Sequence, residues 1–149
     1  ESLAAGAVLV KGGKARKGDG YYFEPTILLA PSAELPCARE EFFGPVLSVL
    51  KFNTEDEAVA LANGTAYAFA AGIFTQNLGR AHRLTKKIRA GVVWVNSYRA
   101  VSPIVPFGGN GYTGYGRESG LDAIRDYTRT KSIWINTSDA PMADPFVMR

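Results

Sequence analysis

Apolar and polar positions alternate along this sequence with two periods, one near two residues and one near three and a half. The period switches several times. Ala7-Val8-Leu9-Val10 is a short apolar run stopped by Gly12-Gly13, and the basic, glycine-rich stretch from Lys11 to Asp19 follows as a solvated loop. Tyr21-Tyr22-Phe23 and Pro25-Thr26-Ile27-Leu28-Leu29 form an extended stretch. Its proline, which has no N–H for a ladder, predicts an edge or a non-ladder position. Ala38 to Phe42 predicts one helical turn ended by Gly44-Pro45. Val46 to Phe52 reads as a strand whose nearly continuous apolar residues suit burial on both faces.

Thr54-Glu55-Asp56-Glu57 fits a capping box, in which a threonine oxygen serves free N–H groups and a glutamate reaches back. Ala58, Leu61 and Ala62 follow at helical spacing, and Asn63-Gly64 stops the helix. Phe69 to Thr75 is the next predicted strand. Asn77 can cap a helix in which Leu78, Ala81, Leu84, Thr85 and Ile88 recur at steps of three to four, and Val92-Val93-Trp94-Val95 follows as a strand after Gly91. Ser119 begins a predicted last helix with Leu121, Ile124 and Tyr127 on one side. Thr130 to Asn136 alternates as a strand, and Thr137 to Arg149 reads as a polar tail.

Strands alternating with helices predict an α/β fold: a mainly parallel open sheet with flanking helices and right-handed crossovers. Such sheets bind ligands beyond the carboxyl ends of their strands, which directs attention to the loops after Phe52, Thr75 and Val95.

Composition changes this picture little. The length of 149 residues allows one domain, and 46% apolar against 21% charged residues excludes a disordered chain. A chain of this size can bury roughly two thirds of its unfolded surface. Net charge is +3 and the pI about 9.1, but the charges are scattered, without the basic stripe that would argue for nucleic acid. The single cysteine, Cys37, excludes an intramolecular disulfide and a multi-cysteine metal cluster. No run approaches the roughly 18 apolar residues of a membrane span and no leader precedes the first run, so a cytoplasmic location and no membrane partner are expected. Because the chain opens on Glu1 without a methionine, it is expected to be part of a longer product.

Four segments carry candidate chemistry. Six of the 16 glycines fall between Gly108 and Gly120. That run lacks the Gly-Lys-Ser/Thr of a phosphate loop and fits either a tight packing loop or a ligand-facing one. Arg39-Glu40-Glu41-Phe42-Phe43-Gly44-Pro45-Val46 is either a solvated acidic turn or a site where a carboxylate takes a sugar diol while a ring covers a flat heterocycle. The stretch from Trp94 to Val105 is an apolar loop at a strand's carboxyl end, suited to a substrate channel or to ordinary packing. Cys37 has only Arg39 nearby to activate it and reads as an inert buried thiol. His82 lies within a helix without a second ligand at i+4, so no metal site is expected.

Taken in order, these segments resemble the C-terminal part of the NAD(P)-dependent aldehyde dehydrogenase superfamily. The resemblance runs from Gly20-Tyr21-Tyr22-Phe23-Glu24-Pro25-Thr26 to the predicted strand at Thr130–Asn136. Glu40-Glu41-Phe42-Phe43-Gly44-Pro45-Val46 looks like the family's Glu-Glu-x-Phe-Gly-Pro-Val motif. Trp94-Val95-Asn96 and Pro106-Phe107-Gly108-Gly109, followed by Gly114-x-Gly116-Arg117-Glu118, match two further signatures. Where the family often has a lysine and a serine, this chain reads Asn110-Gly111-Tyr112-Thr113.

The resemblance implies that Glu41 takes the nicotinamide ribose hydroxyls and that Phe43 lies by the nicotinamide, with NAD or NADP as cofactor. It implies that Phe107 lines the aldehyde pocket and that the Tyr98–Val105 loop, with Val101 as the preferred contact, forms a variable wall. It further implies residues 1–128 as part of the catalytic domain and 129–149 as an oligomerisation strand and tail, with Ile133 and Ile135 burying against a neighbouring subunit in a homo-oligomer. The parent reaction it implies is thiolate attack on an aldehyde, hydride transfer to the nicotinamide, and hydrolysis of the thioester to a carboxylic acid. The nucleophilic cysteine and general base would lie upstream of this chain, so the chain alone is expected to be inactive. The alternative is a non-catalytic binding or assembly module on the same fold.

Overall fold

The computed structural model describes residues 1–141, 144, 146 and 147. Among the described residues there are three small sheets. In the first, β1 (Val8–Lys11) runs antiparallel to β2 (Thr26–Leu29), and β2 runs parallel to β3 (Val46–Val49) in the register Thr26↔Val46 to Leu29↔Val49. The short helix α1 (Pro36–Arg39) connects β2 to β3, starting on Pro36 because proline suits the first helical position. It starts two residues earlier and ends three residues earlier than the predicted turn.

Pro25 stands just outside the ladder, while the strand after it is central and not at an edge. Thr26 anchors that entry. Its hydroxyl accepts the Gly13 N–H at 2.8 Å and donates to the Glu24 carbonyl at 2.7 Å. Gly12 sits at φ +74°, where an added Cβ would come within 2.3 Å of the Pro25 carbonyl oxygen, so the hairpin needs glycine there.

The second layer is built by α2 (Glu55–Ala62), β4 (Tyr67–Ala68), β5 (Ala70–Ile73), α3 (Leu78–Lys87) and β6 (Val92–Val95). β5 and β6 pair in parallel, with α3 as the crossover. The capping box forms: the Glu57 N–H donates to Thr54 Oγ1 at 3.1 Å, while Glu57 Oε2 accepts from the N–H of Asn53, one residue before the cap. Asn77 caps α3 by accepting the Arg80 N–H at 2.8 Å. Glu55 joins the two helices by accepting from Arg83 at 2.9 and 3.0 Å and from Arg80 at 3.3 Å. Those guanidinium groups, Arg83 above all, hold the Glu55 carboxyl below its ordinary value.

The third sheet pairs β4 with β7 (Asn110–Gly111), antiparallel. The architecture is therefore α/β, but the mainly parallel open sheet is corrected to three small sheets with two parallel and two antiparallel pairings. The alternation of elements predicts that crossovers exist, while the antiparallel β1–β2 hairpin and β4–β7 pairing depend on contacts the pattern does not encode.

Ala7, Leu28, Ala30, Leu35 and Cys37 form one core cluster, with Ala38, Val46 and Leu50 packed on it. Ile73, Ala81 and Leu84 are also buried, where β5 and α3 lie. Elsewhere burial is thin. The chain exposes 12537 Å², against roughly 7,400 Å² for a folded monomer of this mass. The expectation of burying two thirds of the unfolded surface is not met.

The same shortage corrects three local readings. β3 is not buried on both faces: Leu47 and Val49 are exposed while Val46 and Ser48 are half-buried. The predicted last helix is a 3-10 helix over Asp122–Tyr127, with Leu121, Ile124 and Tyr127 all exposed, because a helical stripe without a surface to cover gains little from its formation. Residues 130–136 carry no strand, and Ile133, Trp134 and Ile135 are exposed, since a strand needs a partner for its N–H and C=O groups. Parts of the predicted tail, residues 142, 143, 145, 148 and 149, lie outside the described residues.

Candidate functional site

The parallel β5–β6 pair ends at a clamp. The Asn96 N–H donates to the Ile73 carbonyl at 2.8 Å, and the Asn96 side chain then does the work of one more ladder residue. Its Oδ1 accepts the Thr75 N–H at 2.8 Å and its Nδ2 donates to the Thr75 carbonyl at 2.8 Å. Asn96 adopts φ +51°, a left-handed conformation that asparagine tolerates better than most residues. The chain is thereby turned out of the sheet at a fixed point.

The loop that follows is pinned by Trp94. The indole N–H donates to the Ala100 carbonyl at 2.8 Å, and the Tyr98 ring meets the indole edge-on with centroids 5.7 Å apart. Farther along, Phe107 pairs with Glu118 through two backbone hydrogen bonds of 2.7 and 2.8 Å. Its ring packs edge-to-face on Phe69 at 5.2 Å.

Val101 and Phe107 consequently border the same space. One open cleft of about 300 Å³ lies between β6 and the loop, lined by Val92, Trp94, Val101, Val105 and Phe107 among others. A second of about 300 Å³ lies on the β5 side, lined by Phe69, Trp94, Tyr98, Arg99, Val101 and Phe107 with small residues of β5. Both are mainly apolar, the surroundings in which a small organic molecule displaces water favourably.

The glycine-rich segment is held together by its own chain. Arg117 donates from Nη1 to the Gly109 carbonyl at 2.5 Å and the Gly116 carbonyl at 2.9 Å, and from Nη2 to Asn110 Oδ1 at 2.7 Å. A Cβ on Gly91 would lie 1.8 Å from the Gly108 carbonyl oxygen, so the segment packs directly on the turn before β6. The Asn110-Gly111-Tyr112-Thr113 stretch supplies β7, and Thr113 Oγ1 accepts the Ala68 N–H at 3.0 Å.

Glu41 and Phe43 stand in the turn between α1 and β3, apart from the lining of those two clefts. Both are exposed; Phe43 is 94% exposed and held at φ +45°. The four ion pairs among the described residues do not involve Glu41. Its carboxylate is thus open to hydroxyl donors and the Phe43 ring to a flat partner. Cys37 is buried in the first core cluster, and its carbonyl accepts from Ser48 Oγ. His82 is exposed on α3, and among the described residues no three potential ligands gather to hold a metal. Among the described residues no helix is long and apolar enough to cross a membrane.

Sequence reasoning named Val101 and Phe107 and put Trp94 and Tyr98 in the candidate channel stretch, but missed Phe69 as their companion around the cleft and Asn96 and Arg117 as the residues that hold its walls. For Arg117 a signal was present: a lone cation in a glycine-rich run, where backbone carbonyls are the nearest acceptors.

Comparison with known proteins places these features in a family. Residues 1–133 match the family model described as the Aldehyde dehydrogenase family. The chain is 53% identical over 149 residues to (Z)-2-((N-methylformamido)methylene)-5-hydroxybutyrolactone dehydrogenase of Acinetobacter baylyi, covering 99% of this chain and 30% of that protein. Its structure is similar to that of PnpE from Pseudomonas sp. WBC-3, with a TM-score of 0.83 at 44% identity over 97% of this chain and 30% of PnpE. It is also similar to a variant of the P. syringae indole-3-acetaldehyde dehydrogenase in complex with NAD+ and IAA, with a TM-score of 0.83 at 46% identity over 90% of this chain and 28% of that one. The chain thus spans about a third or less of the length of these relatives.

Proposed function

This chain belongs to the aldehyde dehydrogenase family, and on that premise we propose that it supplies one wall of the aldehyde site and the nicotinamide-ribose contact of an enzyme that oxidises an aldehyde to a carboxylic acid with NAD or NADP. The observation that carries this reading is the convergence of Val101 and Phe107, both in the chain that leaves β6, on shared apolar clefts alongside β6 and β5. Loops that leave the carboxyl ends of parallel strands are free to vary while the strands are not, and Val101 lies in such a loop after β6.

The turn at Glu41 and Phe43 fits the cofactor on this reading. A carboxylate with free oxygens accepts two ribose hydroxyl donors, and an exposed ring shields the nicotinamide from water. When bound, the nicotinamide supplies the hydride acceptor. Glu41 orients the ribose, Phe43 excludes solvent, and Phe107 and Val101 hold the apolar part of the aldehyde. Cys37 has no part in this scheme, because its thiol is buried in a core cluster on the other sheet. We place residues 1–128 in the C-terminal part of the catalytic domain and assign 129–149 to an oligomerisation strand and tail, in which Ile133 and Ile135 bury against a neighbouring subunit of a homo-oligomer.

The test compares aldehyde-dependent NADH formation by the isolated 149 residues with that of a full-length dehydrogenase carrying the same segment. Turnover only in the longer protein is expected. Robust turnover by the isolated chain sinks the assignment of the covalent step to residues outside it. A second reading, a non-catalytic assembly module, draws on the large exposed surface and its many apolar side chains. It predicts that changing Phe107 or Glu41 leaves activity of the longer protein untouched while altering its association.

A further inference from the structure

We infer that Arg99 is a specificity-determining residue that favours aldehydes bearing a carboxylate at the end remote from the aldehyde carbon. The inference rests on the proposal that the Val101–Phe107 cleft is the aldehyde wall. Among the described residues, Arg99 is the one cationic side chain lining the cleft on the β5 side, whose other walls are Phe69, Trp94, Tyr98, Val101, Phe107 and small residues of β5. A guanidinium presents a planar fork of donors matched to a carboxylate. The apolar walls lower the local dielectric on one side of Arg99, while its exposed position leaves such a pair open to screening by salt.

Its position is built. The neighbours on both sides are held by one residue, since Tyr98 packs edge-on against Trp94 and the Ala100 carbonyl accepts the Trp94 indole N–H. Between them Arg99 takes φ +60°, a conformation costly for a side chain with a Cβ. Such a conformation persists where the surroundings over-determine it. The guanidinium also has no internal use for its charge: the ion pairs among the described residues engage Arg39, Arg80, Arg83 and Lys87. A cation at the rim of an apolar cleft, on a pinned backbone and without an acidic partner among the described residues, is complementary to a substrate that is apolar along its length and anionic at one end.

The experiment uses a full-length dehydrogenase carrying this segment, with 4-oxobutanoate and its methyl ester as paired substrates of similar length, one anionic and the other neutral. Arg99→Asn removes the cation and keeps a residue at ease with positive φ. It is expected to lower the ratio of kcat/KM for the anion over the ester by about tenfold, mainly through KM, the value of one charge-assisted contact. Arg99→Lys, which keeps the charge without the fork, is expected to recover part of that ratio. Higher salt is expected to narrow the ratio in the parent. An unchanged ratio in Arg99→Asn overturns the inference, whether both substrates suffer equally or neither does. Phe107→Ala separates the two levels of the argument. A raised KM for both substrates supports the cleft as the aldehyde wall, and an unchanged KM for both removes that wall and the Arg99 inference with it.

Discussion

The side-chain amide of Asn96 and the peptide groups of Thr75 form a two-point clamp, with both contacts at 2.8 Å. It closes the β5–β6 pair where the backbone ladder runs out, and it sets the direction in which the Tyr98–Val105 loop leaves the sheet. Two hydrogen bonds at about 1 kcal/mol each make Asn96→Ala destabilising by about 2 kcal/mol, with a further penalty for alanine at φ +51°. Asn96→Gly removes the clamp but relieves the backbone. Urea unfolding of both variants checks this: alanine is expected to cost more than glycine, and the reverse order contradicts the backbone argument.

Gly91 and Gly108 approach so closely that a Cβ on the first lies 1.8 Å from the carbonyl oxygen of the second. The obstacle is backbone, which cannot swing aside as a flexible side chain can. Gly91→Ala is expected to cost about 3 kcal/mol, at the upper end of overpacking effects, and to displace Phe107 with the segment. Thermal unfolding measures the first effect. A variant as stable as the parent shows that the two segments are free to separate.

Glu55 gives stability a defined acid limb. Its folded-state value is lowered, chiefly by the Arg83 hydrogen bond. The contribution is therefore present above the unfolded carboxyl value near 4.5 and is lost as pH falls through the lower folded-state value. Glu55→Gln removes this linkage, so the difference in stability between parent and variant is expected to be constant at neutral pH and to shrink in acid. Denaturant titrations at several pH values below 6 decide it, and a difference independent of pH excludes the linkage.

Glu41 tests the cofactor proposal. In a full-length dehydrogenase carrying this segment, Glu41→Gln is expected to slow turnover by about tenfold, the worth of one hydrogen bond to a charged acceptor. The melting temperature should stay nearly constant, since the exposed carboxylate has no ion pair among the described residues. Parallel losses of activity and stability would return Glu41 to the role of a solvated turn residue.

Local chemistry made some of this protein legible in its sequence. Thr54 with Glu57, and Asn77 ahead of Leu78, announce helix starts because a capping oxygen and the N–H it serves lie within three residues of each other. The runs at Val46 and Val92 mark strands for the same reason. Burial was less legible. The apolar run of β3 predicts two covered faces, yet cover depends on a layer that must come from elsewhere, and Leu47 remains 59% exposed. Residues 130–136 have the alternation of a strand, but among the described residues no segment pairs with them and no strand forms.

For the candidate site, the sequence alone determined which residue types are available and, through the order of its motifs, the family resemblance. Tertiary structure decided that Phe69, Trp94, Val101 and Phe107, spread over nearly forty positions, line one cleft, and that Glu41 and Phe43 stand apart from it. It also decided that Arg117 holds the glycine segment and that Asn96 ends a sheet. The reason is physical. A cap or a strand period is a short-range property of neighbouring residues, whereas a cleft exists only where a parallel pair, an aromatic contact and two pinned loops close on the same space.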